Sequence, residues 1–211
     1  MLICKSIRFK YDNLPEFIIP DISLKGGEEL LILGRSGSGK TTILNILGGL
    51  LKPLGGEVLI NGTSLYALTG NVLDKFRGKN IGIVFQKPHI ISALSVVENL
   101  RLAHFFAGSD NLKLVDTYLA ELGITDKKNA SVHTLSEGEA QRVSIARALV
   151  NGPKVILADE PTASLDDENA QTVIQLLQSQ AKKLNAVLVI VTHDQRVKAH
   201  ISNRITVGGP L

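Results

Sequence analysis

One short segment constrains the possible fold of this 211-residue chain more than any other. It follows the apolar run 30–33, precedes a helical stretch and fits GxxxxGK[ST], with Gly34, Arg35, Ser36, Gly37, Ser38, Gly39, Lys40 and Thr41. Glycines let backbone N–H groups wrap a phosphate chain without Cβ clashes, and a helix N-terminus adds a positive dipole. An ordinary glycine-rich turn is the alternative, but the strand–loop–helix context favours a nucleoside triphosphate site. We expect Lys40 to reach the terminal phosphates and Thr41 to ligate Mg²⁺. Thr42 completes the predicted set of nucleotide-binding residues in this segment.

Composition narrows the class of protein. With 44% hydrophobic residues, the chain suits one compact domain over residues 1–211. The net charge of +3 is scattered along the chain, so we expect no nucleic-acid partner. Cys4 is the single cysteine, which excludes an internal disulfide and fits a reducing compartment. The N-terminus lacks a secretory signal, and the apolar stretch 186–191 is far shorter than the ~20 residues of a membrane-spanning helix. We therefore expect a cytoplasmic protein without direct membrane insertion.

The pattern of apolar residues predicts an α/β fold. Strand-like runs separated by helical patterns indicate a largely parallel sheet covered on both faces, and they lie at 7–11, 30–33, 57–60, 81–85, 155–158 and 187–191. Residues 167–183 have helical spacing and predict a crossover helix. Between about 87 and 132, two amphipathic helices at 95–106 and 111–122 follow each other without a strand. A helical subdomain is therefore predicted there.

Two carboxylates end one of the buried strands. Asp159 and Glu160 follow the apolar run 155–158, and open α/β sheets bind their ligands at this end of the strands. The aspartate can hold Mg²⁺, and the glutamate can orient or deprotonate an attacking water. Taken alone, the pair could be ordinary acidic residues after a strand. Together with the glycine-rich loop it indicates a second part of one nucleotide site.

A further motif identifies a family. Residues 135–142 read Leu-Ser-Glu-Gly-Glu-Ala-Gln-Arg and open a strongly helical segment about twenty residues before the acidic strand. The ordered set resembles the ATP-binding cassette (ABC) ATPases, whose signature is commonly LSGGQ. Gln86 looks like the glutamine of the family's Q-loop, 163–166 like its D-loop, His193 like its switch histidine and Tyr11 like the aromatic that stacks on adenine. Gln86 could instead be a surface amide, His193 a capping residue after a strand and Tyr11 a core or edge aromatic, but their order and spacing favour the family.

The resemblance implies a P-loop NTPase fold with a RecA-like core, an antiparallel β subdomain and an inserted α-helical subdomain. It also implies a second ABC ATPase subunit as a partner, in a head-to-tail homodimer or heterodimer. Two ATP molecules with Mg²⁺ would lie between the subunits. In each site Lys40, Thr41, Gln86, Asp159, Glu160 and His193 of one chain would contact the metal, the terminal phosphate or the lytic water, while Ser136 and Gly138 of the other chain close over that phosphate.

Glu137 departs from the family pattern, because glycine is more common at this place in the signature. A carboxylate ~4 Å from a phosphate would be repelled by roughly 4 kcal/mol per charge pair at an effective dielectric near 20. The letters S-x-x-E from Ser136 to Glu139 also predict a capping box, with Glu137 in the favourable first turn of a helix. We hypothesise that Glu137 partly neutralises this anion site and makes closure harder.

Segments 46–50, 85–86 and 96–100 resemble the lipoprotein-release and macrolide-export subgroup of bacterial cassettes. This implies an integral-membrane permease that docks near Gln86, for which an exposed apolar surface around Pro88, Ile90, Ile91 and Leu94 is expected; these residues could equally be core. An importer or cell-division cassette is the alternative within the family. A non-transport, ATP-gated regulatory or clamp module and a small-molecule kinase are the alternatives outside transport. The transported substrate is not encoded in this chain.

Overall fold

A computed structural model of the protein describes residues 1–11, 15–108, 112–163 and 165–208. Residue 111, where the second amphipathic helix was predicted to begin, and Ser164 of the predicted D-loop lie outside these ranges. The strands are β1 Leu2–Phe9, β2 Phe17–Ile18, β3 Ile22–Leu24, β4 Glu29–Leu33, β5 Gly55–Ile60, β6 Thr63–Ser64, β7 Ile81–Val84, β8 Val155–Asp159, β9 Val187–Thr192 and β10 Arg204–Thr206. The α-helices are α1 Lys40–Leu47, α2 Gly70–Asn80, α3 Val96–Ala107, α4 Leu112–Glu121, α5 Glu137–Leu149, α6 Asp167–Leu184 and α7 Gln195–Lys198.

A five-stranded parallel sheet in the order β10-β4-β9-β8-β7 carries the predicted nucleotide site. Every residue of β8 and β9 is buried, which is why these strands read as unbroken apolar runs. One apolar core lies on each face of the sheet. The face towards α5 and α6 includes Leu149 and Leu177, and the opposite face, towards α1, includes Ile43 and Leu47.

A second, antiparallel sheet has the order β2-β1-β5-β6, with β3 also paired to β1. The pattern-based assignment of runs 7–11 and 57–60 to the parallel sheet is therefore wrong, whereas the antiparallel sheet implied by the family resemblance is present. Strand β1 begins at Leu2, before the predicted run, and its pairing with β5 shifts register between Lys5 and Arg8, where Ser6 has a φ of 51°. This irregularity changes which alternate residues face the core, so the pattern hides the first half of the strand.

The helices between β7 and β8 follow the predicted pattern. Helices α3 and α4 agree with the predicted segments 95–106 and 111–122, and no strand separates them in the described part of the chain. Ser95 and Glu98 form a capping box at the start of α3. The assignment of 87–132 as a separate subdomain within 1–211 stays a prediction. Among the described residues, no helix combines the length and apolar character required to cross a membrane.

Helix α2 was not predicted, because it has no buried residue and hence no apolar stripe. Asn99, near the start of α3, is 1% exposed, and its amide donates to the carbonyls of Ile91 at 3.1 Å and Ser95 at 3.0 Å. Its Oδ1 accepts from the Ile91 amide at 2.9 Å. These bonds hold the chain after β7 against α3. As a result, only Ile91 of the four expected apolar surface residues is exposed; Pro88, Ile90 and Leu94 are half-buried.

Candidate nucleotide site

Three neighbouring strands end at one edge of the parallel sheet and bring the predicted site residues together. The glycine-rich loop follows β4, the acidic pair ends β8, and His193 follows β9. Strand β9 pairs with both β4 and β8, so the loops after these three strands are adjacent. This is the edge at which open α/β sheets bind their ligands.

The loop from Gly34 to Lys40 has the geometry of an anion cradle. Gly37 and Gly39 have φ angles of 77° and 87°, which side chains disfavour. A Cβ at Gly34 would lie 2.2 Å from Ser38 Oγ and 2.7 Å from the carbonyl oxygen of Val207. Gly39 is the N-cap of α1, makes no side-chain cap bond, and no acidic residue lies in the first turn. The first amides of α1 therefore lack a capping side chain and a competing negative charge.

Lys40 is buried behind this loop, with 7% exposure. Its ammonium donates to the carbonyls of Gly34 at 3.0 Å and Arg35 at 3.1 Å and lies 3.6 Å from Glu160 Oε1. These contacts hold the charge beside the loop's concave side. The ammonium is therefore already desolvated and lies close to a phosphate that the loop would bind.

Glu160 is the most constrained side chain of the site. It is 8% exposed and has a φ of 45°, a left-handed conformation that is uncommon outside glycine. Its Oε2 accepts from the Thr192 hydroxyl at 2.5 Å, and Oε1 lies 2.8 Å from His193 Nδ1. The His193 amide donates to both carboxylate oxygens at 3.2 Å. Strained backbone of this kind clusters at functional sites.

Asp159 has the features of a metal ligand. It is 7% exposed, and its Oδ1 has no hydrogen-bond partner in the described ranges. Burial raises its pKa, and the hydroxyl of Thr41 acts in the opposite direction. A buried carboxylate oxygen beside a threonine hydroxyl is the hard oxygen set that Mg²⁺ prefers, so these two residues fit the ion.

A cavity of about 290 Å³ unites both halves of the predicted site. Its lining residues are Ser36, Gly37, Gly39, Lys40, Thr41, Thr42, Gln86, Glu160 and His193. Gln86 reaches it from the exposed segment after β7. Phosphate-binding, metal-binding and water-activating candidates therefore face one space.

Tyr11 lies beside this cavity and is 40% exposed. Its hydroxyl is 3.1 Å from the hydroxyl of Thr42, and its ring meets Phe9 edge-on with centroids 4.8 Å apart. The hydroxyl contact anchors the ring near the start of α1. A partly exposed, anchored aromatic at this place suits stacking on a nucleobase.

Ser136 and Gly138 are at the N-terminus of α5 and do not line the cavity. The predicted capping box is confirmed: the Ser136 hydroxyl accepts from the Glu139 amide at 3.3 Å, and Glu139 Oε2 accepts from the Ser136 amide at 2.8 Å. Glu137 lies in the first turn and is exposed. Within one chain, the signature motif therefore stands apart from the phosphate loop.

Sequence reasoning missed three residues that support the acidic pair. Thr192 binds Glu160, while Asp194 and Arg196 bind the segment that follows it. The polar Thr-His-Asp triplet at the end of an apolar strand was the available signal for two of them. Nothing in the sequence marks Arg196, because Thr162, Leu165 and Asp167, which it binds besides the nearby Asp194, are distant along the chain.

Comparison with known proteins agrees with this geometry. The model of the ABC transporter family matches residues 20–163. The lipoprotein-releasing system ATP-binding protein LolD of Shewanella sp. (strain MR-4) is 37% identical over 189 residues, 88% of this chain and 82% of the relative. A putative hemin import ATP-binding protein, HrtA of Staphylococcus aureus (strain bovine RF122 / ET3-1), is 42% identical over 180 residues, 84% of this chain and 81% of the relative.

Two solved structures are similar over nearly the whole chain. A dimeric bacterial ABC transporter cassette has a TM-score of 0.87 and 34% identity, with coverage of 98% of this chain and 94% of that one. A dimeric ATP-binding cassette in a post-hydrolysis state, bound to ADP and Pi, has a TM-score of 0.86 and 36% identity at the same coverage. Both neighbours are dimers, which agrees with a signature motif placed outside the chain's own phosphate cavity.

Proposed function

The chain belongs to the ABC transporter family and is an ATPase of that family, and on this premise we propose that two copies close head to tail around two ATP molecules to drive an integral-membrane permease. The cavity that Lys40 and Thr41 share with Gln86, Glu160 and His193 carries the proposal. Phosphoryl transfer depends mainly on positioning and charge stabilisation, and these residues supply both.

Binding begins at the phosphate loop. The backbone amides of residues 34–40 receive the β- and γ-phosphates, and the Lys40 ammonium exchanges its carbonyl partners for phosphate oxygens. Tyr11 stacks on the adenine. Thr41, Asp159 and Gln86 would hold Mg²⁺, which would supply neutralisation of the phosphate charge.

Hydrolysis requires a water held in line with the γ-phosphate. Glu160 orients this water and accepts its proton, and His193 contacts the γ-phosphate while keeping Glu160 in place. Gln86, on the segment after β7, would be a ligand of the metal. The short distances from Glu160 to Thr192 and His193 support this assignment, since a general base must be held still to act.

The second subunit completes each site. Ser136 and Gly138 at its α5 N-terminus close over the γ-phosphate, which supplies amide donors and a helix dipole. Because the site is assembled only on closure, turnover is coupled to motion. A single subunit should therefore hydrolyse ATP poorly.

The first test combines light scattering with phosphate release for the parent and for Glu160→Gln. We expect the variant to form a stable dimer in ATP and Mg²⁺ and to lose hydrolysis by ~10²-fold or more. Glu168→Gln, the same change on an exposed acid of α6, is the matched control and should behave like the parent. A Glu160→Gln protein that stays monomeric, or that hydrolyses ATP at the parental rate, would contradict the proposal.

A groove of about 440 Å³ between α2, α3, α5 and the end of β7 is the proposed permease contact. Phe85 and Phe106 line it, and Phe105 and Phe106 are 75% and 64% exposed. Such exposed aromatic residues beside a groove are typical of a site for an apolar helix. The permease would hold the ATPase at the cytoplasmic face of the plasma membrane.

Retention on native membranes tests this contact. Phe106→Glu should weaken retention, because the charge would be buried in the interface. Ile18→Glu, equally exposed at 68% but on β2 of the antiparallel sheet, is the matched control. Equal retention of both variants would contradict the groove assignment. We favour an export or lipoprotein-release role, although one relative is named for hemin import, and the substrate contacts the permease alone.

A further inference from the structure

One arginine joins the loop after Glu160 to the loop after His193. Arg196 Nε donates to both carboxylate oxygens of Asp194 at 3.0 Å, and Nη2 donates to Oδ2 at 2.7 Å. The same guanidinium also binds residues of the loop after Glu160. Nη2 donates to the Thr162 carbonyl at 3.3 Å, and Nη1 donates to the Leu165 carbonyl at 3.2 Å and to Asp167 Oδ1 at 2.7 Å.

Asp194 is the centre of this cluster. Its side chain is 12% exposed, and Oδ2 also accepts from the Thr162 hydroxyl at 2.7 Å. Hydrogen bonds from Arg196, and then from Thr162, lower the pKa of Asp194 to about 2. The carboxylate is therefore charged at any physiological pH, and the guanidinium beside it is always protonated.

The cluster continues directly into the catalytic candidates. The Asp194 amide donates to the Thr192 hydroxyl at 2.9 Å, and that hydroxyl donates to Glu160. Asp194 thus binds Arg196 through its carboxylate and Thr192 through its backbone amide, and Thr192 in turn binds the Glu160 carboxylate. Arg196 itself lines a different cavity and does not face the phosphate loop.

We propose that Arg196 is a positioning residue for ATP hydrolysis: it is a clamp that binds Thr162, Leu165 and Asp167 to the loop 194–196 and so fixes Glu160 relative to His193. The inference rests on the roles proposed above for Glu160 and His193. The loops after Glu160 and after His193 both lie outside the phosphate loop. The clamp should therefore control the rate of the chemical step and leave nucleotide binding unchanged.

Lysine cannot replace this arginine fully. The planar guanidinium fork points its N–H groups at two carboxylates and two carbonyls at once, whereas an ammonium is a point charge with three donors. Lysine could keep the pairing with Asp194 but would lose the carbonyls on the far side. The conservative variant should then show an intermediate defect.

The experiment compares Arg196→Ala and Arg196→Lys with Arg204→Ala, an exposed arginine on β10 that serves as the matched control. We expect Arg196→Ala to lower kcat roughly 10- to 100-fold while KM for ATP stays within about twofold, because small misplacements of catalytic groups have effects of this size. Arg196→Lys should lie in between. Arg204→Ala should match the parent.

A second readout does not require turnover. In the nucleotide-free protein, the ring resonances of His193 should shift in Arg196→Ala, because its contact with Glu160 loosens, and stay fixed in Arg204→Ala. A thermal unfolding curve checks that each variant is folded; if Arg196→Ala is not, Arg196→Lys decides. Parental kcat in a folded Arg196 variant, or a rise in KM that accounts for the whole loss, would overturn the clamp. Parental kcat in Glu160→Gln would instead overturn the proposed function.

Discussion

Helices α1 and α5 both present their N-termini for the phosphates proposed above, yet they are built in opposite ways. The α1 end is capped by Gly39 with no side-chain bond and no acidic residue in its first turn. The α5 end is capped by Ser136, carries Glu137 and Glu139 in its first turn, and closes a capping box on itself. One end has open amide donors, and the other binds its own side chains.

This contrast indicates that one helix end is open to phosphate in the single chain, whereas the other must exchange its own contacts for a phosphate. An uncapped helix end beside a buried lysine is a ready anion site in the single chain. A capped end with two carboxylates is stable without a ligand, so an arriving phosphate must compete with the helix's own acids. We therefore expect the α1 end to determine affinity for ATP and the α5 end to determine how readily the subunits close.

The largest effect should follow from Lys40→Ala, which removes the only lysine or arginine among the described residues that line the cavity beside α1. We expect nucleotide binding to weaken strongly and hydrolysis to fall by ~10²–10³-fold, as when other preorganised charge contacts are lost. Titration calorimetry with ADP and Mg²⁺ checks the binding. Lys182→Ala, an exposed lysine in the last turn of α6, is the control, and parental affinity in Lys40→Ala would remove the basis of the comparison.

Glu137→Gly should act in the opposite direction at the α5 end. Removing the carboxylate relieves repulsion of the partner's phosphate, so ATP-driven dimerisation in the Glu160→Gln background should strengthen by about tenfold, which corresponds to ~1.4 kcal/mol. Glycine also weakens the helix by ~1 kcal/mol, so Glu137→Gln, which removes only the charge, is the matched control. If neither variant changes dimerisation or the KM for ATP, the hypothesis about Glu137 is wrong.

The α1 end was predictable from sequence and the α5 end only in part. The phosphate loop is a contiguous run whose chemistry depends on backbone geometry, so its sequence predicts it. The capping box is likewise local, and the sequence from Ser136 to Glu139 was enough to predict it. The bonds around Glu160 were not predictable, because Thr192, which binds Glu160, and Arg196, which binds the carbonyl of Thr162, are each more than thirty positions away from these partners. Such contacts depend on strand order, which motif spacing does not contain.

Prediction of the fold from sequence was limited in a similar way. Buried central strands such as β8 and β9 were predictable because every residue is apolar. The first half of β1 was hidden by the register shift near Ser6, and α2 was hidden because none of its residues is buried. Periodicity reveals an element only where one face is continuously buried.

A cap deletion at α5 should have a smaller effect, and a second capping box in the same chain makes it interpretable. Ser136→Ala should lower the free energy of unfolding by about 1 kcal/mol. Ser95→Ala removes the same kind of cap from α3, where Glu98 accepts from the Ser95 amide at 2.7 Å. Both variants should lose similar stability in urea unfolding, but only Ser136→Ala should also raise the KM for ATP. Equal kinetics in the two variants would mean that Ser136 serves the helix alone.

The smallest expected effect is a pH dependence confined to the α5 end. The bond from the Ser136 amide, and then the contact with Lys127, lower the pKa of Glu139 in the folded protein. A carboxyl whose pKa is depressed on folding adds stability above its unfolded pKa, near 4.5, and loses that contribution as the pH falls through its folded value. The stability difference between the parent and Glu139→Gln should therefore be constant from pH 6 to 8 and shrink below about pH 4.5. Urea unfolding at several pH values measures it, and added salt should weaken only the part due to Lys127. The first turn of α1 has no acidic residue, so no comparable pH dependence is expected at that end. A stability difference between the parent and Glu139→Gln that persisted unchanged to pH 3 would contradict the contrast between the two helix ends that their sequences indicate.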